Sequence, residues 1–210
     1  MAGLTTDWAL AWVRGSAAVV GEHRAELSGL DREIGDGDHG ENLDRGFKAV
    51  VAKLDAAPPS TPGGVLKLVA TTLISTVGGA SGPLLGTAYL KAAGAVGDAA
   101  ELDSAAIVAM LTAARDGVVL RGKAEPGDKT MIDAWTPAVD AATARAAAGE
   151  APAGVLAAAA DAAEQGAVAT EPLVARKGRA SYLGERAIGH RDPGAQSSAL
   201  QLRAAADAAS

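Results

Sequence analysis

Alanine constrains the fold of this chain more than any other residue, because it fills 52 of the 210 positions. Alanine is the best helix former and adds little bulk to a core, whereas strands favour β-branched and aromatic side chains. Aromatic residues make up only 3% of the chain. The composition therefore predicts an all-α protein of closely packed helices, and the length predicts a single domain over residues 1–210.

Apolar residues recur at helical spacing along four stretches, residues 43–54, 66–77, 107–118 and 131–139. Four more stretches read as helices, of which the last two are alanine-rich and less distinctly phased: residues 6–27, 83–93, 152–169 and 194–209. The sequence thus predicts about eight helices and no strand. We expect Gly122 just beyond the end of one helix and Asp128 as the N-cap of the next.

Several classes of protein are excluded by composition. The chain has no Cys, which rules out disulfide scaffolds, thiolate metal sites and cysteine nucleophiles. Its net charge is −6 and it has no dense run of Lys and Arg, so we expect neither a nucleic-acid partner nor binding to an anionic membrane. The first residues do not form a secretory signal, and a cytoplasmic location is expected.

One uncharged stretch, residues 68–90, is long enough to span a bilayer. It contains a glycine-rich break at residues 78–83, including Pro83, which would end any helix near its midpoint. We therefore predict two buried helices joined by a turn and no membrane span.

Polar and glycine residues concentrate in four segments between the predicted helices: residues 31–42, 78–83, 122–130 and 175–194. Because the residues that could carry out chemistry are confined to the segments between helices, we infer that these segments meet at one end of a helical bundle. We therefore expect the functional site there.

The first segment contains Gly35, Gly37 and Gly40 at the spacing of a dinucleotide-binding loop, but charged residues precede it and acidic residues lie inside it, which opposes that function. An EF-hand is excluded as well, since the twelfth position counted from Asp36 is Phe47. The carboxylates of Asp31, Asp36 and Asp38 are instead suited to Mg²⁺. A solvated acidic turn is the alternative.

The other segments offer groups that bind phosphate. Residues 78–83 open a helix whose N–H groups could bind an anion, although a plain turn capped by Ser81 would have the same sequence. Residues 122–130 are too polar for a minimal turn, and residues 175–194 contain five basic side chains that could hold a transferring phosphate. His39 and His190 lie in these segments, but neither is assigned as a general base. Together the segments predict a Mg²⁺–polyphosphate site.

Four motifs closely resemble those of the nucleotide-binding L subunits of bacterial dihydroxyacetone kinases. They are DREIGDGDHG at 31–40, GGASGP at 78–83, RGKAEPGDKTM at 121–131 and ARKGRASYLGER at 175–186. The resemblance runs in order from about residue 7 to the end of the chain. It implies an antiparallel bundle or barrel of eight helices with ADP or ATP at one end.

The resemblance also implies site residues. Two Mg²⁺ ions would be held by Asp31, Asp36 and Asp38, and Arg179 would stabilise the transferring phosphate. The nucleotide contacts it implies are His39, Gly40, Glu41, Asn42, Ala80, Ser81, Gly122, Met131, Arg179, Asp192, Pro193 and Gly194.

Partners follow from the same resemblance. In the family the substrate is bound on a separate K subunit, covalently to a His that this chain lacks. In the branch that depends on the phosphotransferase system, bound ADP is recharged by a phosphohistidine protein, the M subunit; in the other branch ATP exchanges freely. The chain looks more like the first branch, and a homodimer or hetero-oligomer is expected. Two alternatives stay open: a kinase subunit for another acceptor such as a tetrulose, and an ADP-sensing module without catalysis.

Overall fold

The computed structural model describes residues 3–210 and contains nine α-helices and one 3₁₀ helix within them. The helices are α1 (Thr6–Glu22), α2 (Arg24–Ile34), α3 (His39–Ala56), α4 (Pro62–Thr76), α5 (Ser81–Val96), α6 (Ser104–Gly122), α7 (Ile132–Ala147), α8 (Pro152–Ala169) and α9 (Pro193–Asp207), with the 3₁₀ helix (Arg179–Ala187) between α8 and α9. Over the same residues, β-structure is limited to one antiparallel bridge between Leu4 and Leu102. The all-α prediction is confirmed.

Within the described part of the chain, eight of the helices close into a ring. Each of α3 to α8 packs against the α-helix that follows it in sequence, and α1 closes the ring by packing against both α9 and α3. The short connections between successive helices from α3 to α8 make those neighbours antiparallel, whereas a longer segment with the 3₁₀ helix joins α8 to α9. The predicted barrel of eight helices is thus present, with α2 and the 3₁₀ helix as additions to it.

The predicted helix over residues 6–27 is in fact two helices that meet at His23. Residues 21–26 carry no large apolar side chain, so packing does not hold the chain in one straight helix there. The second helix continues to Ile34. Asp31 consequently lies in the last turn of a helix, whereas the sequence predicted it in a loop.

Two of the predicted helix ends are wrong. Gly122 is the last residue of α6, and Lys123 follows it with a φ of 53°, the left-handed conformation expected for a glycine. Asp128 does not cap α7, which begins at Ile132; Lys129, between them, is left-handed with a φ of 62°. The Asp133 carboxylate instead accepts the N–H groups of Gly127 and Thr130, at 2.5 and 2.7 Å.

Alanine and glycine residues lie among the larger side chains of the core and let helices approach one another closely. Ala138 on α7 and Ala159 and Ala163 on α8 are completely buried. Gly166 on α8 lies so near α7 that a Cβ atom there would be 2.2 Å from the Asp133 carbonyl oxygen. In residues 3–210, no helix is long and apolar enough to cross a membrane.

Replacing Gly166 by Ala should destabilise the protein by about 1–3 kcal/mol, because the added methyl group would force α7 and α8 apart. Gly94 on α5 is the matched control: it is exposed, and a methyl group at this position would meet nothing within 4 Å. Gly94→Ala should therefore stabilise the protein by about 0.5–1 kcal/mol through helix propensity. Urea unfolding of both variants measures the difference, and equal effects would contradict the close approach.

Candidate functional site

One end of the ring contains a cavity of about 600 Å³, within the range typical of small-molecule sites. All four polar segments contribute to its lining, as the sequence predicted. The end of α2, the starts of α3, α5 and α9, the end of α6 and the beginning of the 3₁₀ helix surround it. Helix termini with free polar groups therefore converge on one space.

Three carboxylates lie together at this cavity. One oxygen from each of Asp31, Asp36 and Asp38 lies within 4.8 Å of the others. Asp31 is buried and its Oδ2 accepts the backbone N–H groups of Asp38 and His39, at 2.9 and 3.2 Å. Hydrogen bonds from the loop to the helix thus bring the three acidic residues together.

The arrangement fits a hard divalent cation. The other oxygen of Asp31, Oδ1, occupies the space beside Gly35, where a Cβ atom would lie only 2.1 Å away. Only glycine at position 35 leaves room for this carboxylate orientation. Asp36 and Asp38 are exposed to the cavity mouth and supply further oxygen ligands of the type that Mg²⁺ prefers.

The start of α5 offers a site for an anion. Gly79 has a φ of 66°, and Gly82 packs so tightly that a Cβ atom would lie 2.2 Å from the Val77 carbonyl oxygen. No side chain caps this helix, and Ala80 and Ser81 at its start line the cavity. A phosphate bound there can accept hydrogen bonds from backbone N–H groups of the helix start.

His39 begins α3 and joins two other helices. Its Nδ1 lies 2.9 Å from the Ser81 hydroxyl on α5, and its Nε2 lies 2.9 Å from the Ser197 hydroxyl on α9. Burial lowers the pKa of His39 to about 4, although the neighbouring Asp38 carboxylate opposes the change. The imidazole is therefore neutral at physiological pH.

Basic groups lie opposite the carboxylates. The Arg179 guanidinium is 3.0 Å from the Asp36 carboxylate, and its side chain is 68% exposed. Arg121 and Lys177 also line the cavity. Such exposed cations can shift to a bound phosphate at little cost, since a surface ion pair contributes little free energy.

Ten of the predicted nucleotide contacts line the cavity: His39, Asn42, Ala80, Ser81, Gly122, Met131, Arg179, Asp192, Pro193 and Gly194. The other two do not. Gly40 instead packs against α2, where a Cβ atom would lie 2.1 Å from the Arg24 carbonyl oxygen. Glu41 is directed outward and its carboxylate lies 3.4 Å from the Arg24 guanidinium.

Lys129 was not predicted from the sequence as a site residue, yet it lines the cavity and is almost completely buried. Its ammonium group donates to the carbonyl oxygens of Thr170, His190 and Glu171, at 2.6, 2.5 and 3.3 Å. All three N–H bonds are thereby used within the protein. Lys129 thus links the α6–α7 connection to the chain on either side of the 3₁₀ helix. In the sequence, only the polar run at 122–130 indicated a functional role for this residue.

A helical ring with carboxylates, an uncapped helix start and basic side chains at one end defines a protein suited to binding a metal-complexed phosphate. The DAK2 domain model matches residues 33–207, and the chain belongs to this family. It is 46% identical to the ADP-binding subunit DhaL of the PEP-dependent dihydroxyacetone kinase of Escherichia coli K12, over 94% of each chain. It is 40% identical to the corresponding subunit of the PTS-dependent enzyme of Lactococcus lactis, over 93% of this chain and 94% of that one.

The fold agrees with a solved structure as well. The dihydroxyacetone kinase of C. freundii in complex with AMP-PNP and Mg²⁺ matches with a TM-score of 0.72 and 25% identity. The match covers 99% of this chain and 34% of that kinase. The resemblance predicted from the motifs is therefore confirmed, as is the enzyme class, a phosphotransferase of the dihydroxyacetone kinase type.

Asp192 at the start of α9 has an unusual environment. Its carboxylate accepts the N–H group of Ala195 at 2.7 Å. Burial raises the pKa of Asp192 to about 7, and the negative charge of Asp133 adds to the effect while Lys129 opposes it. The folded protein therefore holds a proton at this position that the unfolded chain releases near pH 3.8.

This raised pKa predicts that the stabilisation from the protonated carboxyl is lost as the pH rises through about 7. Asp192→Asn should therefore gain melting temperature relative to the wild type, progressively from about pH 4 to about pH 7 and with no further gain above that, in metal-free buffer. Asp103→Asn is the control, because Asp103 caps α6 in the same manner but is exposed. A parallel trend in both variants would show that capping, not burial, is responsible.

Proposed function

We propose that this chain is the ADP-binding, phosphoryl-transferring subunit of a dihydroxyacetone kinase. Phosphate would pass from Mg-bound ATP to dihydroxyacetone held on a separate K subunit, and a phosphohistidine protein, the M subunit, would rephosphorylate ADP in place. The observation that carries the proposal is the cluster of Asp31, Asp36 and Asp38 carboxylates beside the uncapped start of α5. The names of the E. coli and L. lactis relatives support the nucleotide and the donor.

Phosphoryl transfer requires mainly positioning and neutralisation of charge. Two Mg²⁺ ions, when bound by Asp31, Asp36 and Asp38, would supply charge neutralisation at the phosphate oxygens. Asp31 is held by two backbone N–H groups, so its free oxygen is oriented before any ligand arrives.

The remaining contacts come from this chain's own donors. The N–H groups at the start of α5 would bind phosphate oxygens, and the Arg179 guanidinium, exposed at the mouth, would reach the phosphoryl group as it leaves. Leu84, Val118 and Met131 contribute apolar side chains to the cavity wall, where they would exclude water from the base of the nucleotide.

The acceptor hydroxyl must lose a proton, and His39 is not free to take it. Both of its ring nitrogens are already engaged by serine hydroxyls. Lys129 is likewise occupied by three carbonyl oxygens. The proton acceptor would therefore belong to the partner that holds the ketose, which supports an active site divided between two subunits.

Asp36→Asn should lower phosphate transfer to dihydroxyacetone by about 100-fold or more when both partner subunits are present. The substitution removes a negative charge that would bind the Mg²⁺ ions, and these ions would neutralise the phosphate oxygens. Asp140→Asn is the control, since Asp140 is exposed on α7 outside the cavity. The helical circular dichroism of both variants should match the wild type. Unchanged transfer by Asp36→Asn would overturn the proposal, as would steady phosphorylation of free dihydroxyacetone by this chain alone.

The phosphate donor can be identified from the nucleotide that the protein carries. Protein purified in Mg²⁺ without added nucleotide should release stoichiometric ADP on denaturation, as expected for a cofactor recharged in place. Protein that carries no nucleotide and exchanges ATP freely would contradict this proposal and indicate an ATP-dependent kinase. A substrate panel that includes a tetrulose, assayed with the partner subunits, would then identify the acceptor.

A further inference from the structure

Residues 172–189 lie between α8 and α9, contain the 3₁₀ helix, and form a loop whose two ends meet. At the meeting point the Gly189 N–H group donates to the Glu171 carbonyl oxygen at 2.8 Å. The Arg191 guanidinium lies 2.8 Å from the Glu171 carboxylate. These contacts form the base of segment 172–189.

Lys129 joins the two ends of this segment from outside it. Its ammonium group donates to the carbonyl oxygens of Thr170 and Glu171 on the α8 side and of His190 on the α9 side. The side chain is almost completely buried, and a hydrogen bond from a charged donor is stronger in such a place than at the surface. Loss of the ammonium group would take a donor from both ends at once and loosen the base.

Above its base, the segment packs apart from the core of the ring. Three of its alanines are buried in a separate apolar cluster with Ile34, the last residue of α2: Ala175, Ala180 and Ala187. Side chains this small bury little apolar area, so the cluster stabilises the segment only modestly. The position of the segment therefore depends on its base as well as on this cluster.

Arg179 begins the 3₁₀ helix of this segment and lines the cavity. Its side chain is 68% exposed and pairs with Asp36 at 3.0 Å, and an exposed ion pair of this kind contributes little free energy. The backbone of the segment, more than this ion pair, thus sets where the guanidinium can reach. For a group that must meet a reacting phosphate, a displacement of about 1 Å can lower the rate about 100-fold.

We propose that Lys129 is a positioning residue that joins both ends of segment 172–189 and thereby holds Arg179 within reach of the transferring phosphoryl group. This inference rests on the proposed function. It assigns to Lys129 an action through Arg179 and no contact with the phosphates, since three carbonyl oxygens already accept from its three N–H bonds.

A double-mutant cycle tests this action. Lys129→Met should lower kcat for phosphate transfer to dihydroxyacetone about 10- to 100-fold when both partner subunits are present. In an Arg179→Gln background the same substitution should lower kcat by less than about twofold, because the contribution that Lys129 supports is already absent. Equal fold-losses in the two backgrounds would overturn the proposal.

Leu54→Ala is the control for a general loss of stability. Leu54 is buried near the end of α3, whereas the start of α3 lies at the cavity. The substitution should destabilise the protein by creating a cavity, yet leave kcat unchanged in both backgrounds at a temperature where the protein stays folded. A fall in kcat equal to that of Lys129→Met would show that stability, not positioning, is responsible.

Hydrogen exchange of the full chain, without metal or nucleotide, measures the base directly. In Lys129→Met the amides of residues 172–189 should exchange about tenfold faster or more, while those of α4 keep the wild-type rate. If this variant does not fold, Glu171→Gln replaces it, because the Glu171 carboxylate is 40% exposed and joins the same two ends through Arg191. It should speed exchange in the segment and lower kcat only where Arg179 is present. Unchanged exchange in the segment would overturn the proposal.

The two measurements separate this inference from the proposed function. A wild-type chain that transfers no phosphate with its partner subunits would overturn the proposed function, and with it the role of Arg179. Transfer by the wild type, together with unchanged exchange or with equal losses in both backgrounds, would overturn only the inference.

Discussion

Close approach between helices with small side chains is the constraint on which the structure depends. Gly166 allows α8 to meet the backbone of α7, and Gly40 does the same between α3 and α2. Dispersion attraction at such short distances adds to the packing of the larger core side chains. Because aromatic and aliphatic side chains together with alanines fill the interior of the ring, the space large enough for a ligand lies where the helices end, and the polar segments line it.

The site is held together by hydrogen bonds between segments distant in sequence. Asp31 accepts N–H groups from the loop that follows it, His39 joins α3 to α5 and α9, and Lys129 joins the α6–α7 connection to both sides of the 3₁₀ helix. Each of these side chains is buried and held by hydrogen bonds to other segments, so each fixes a helix terminus at the cavity. Removing one partner would leave a buried polar group without a hydrogen bond, which is more costly than the bond itself is stabilising.

Much of this arrangement could be predicted from the sequence, because periodicity and local chemistry carry the information. The helix over residues 152–169 has the predicted bounds, and Asp31, Asp36 and Asp38 lie together as their spacing suggested. What escaped prediction depends on contacts far along the chain. A loop lysine such as Lys129 is normally solvated, and its burial follows from carbonyl groups more than 40 positions away. Likewise, nothing in the local sequence of Ser197 indicates that it faces a histidine 158 positions earlier.

The polar groups of the site divide according to depth. Asp31, His39 and Lys129 are buried and locked, whereas Asp36, Asp38 and Arg179 are exposed at the mouth. A charge transferred during phosphoryl exchange is best neutralised by groups that are already oriented, since reorganising them would cost free energy at the moment of reaction. Groups at the mouth have the opposite requirement, because they must exchange partners as the phosphoryl group passes between molecules. The exposed Asp36–Arg179 ion pair is weak in water and readily broken, so it is suited to exchanging partners, while the buried groups keep the inner part of the site unchanged.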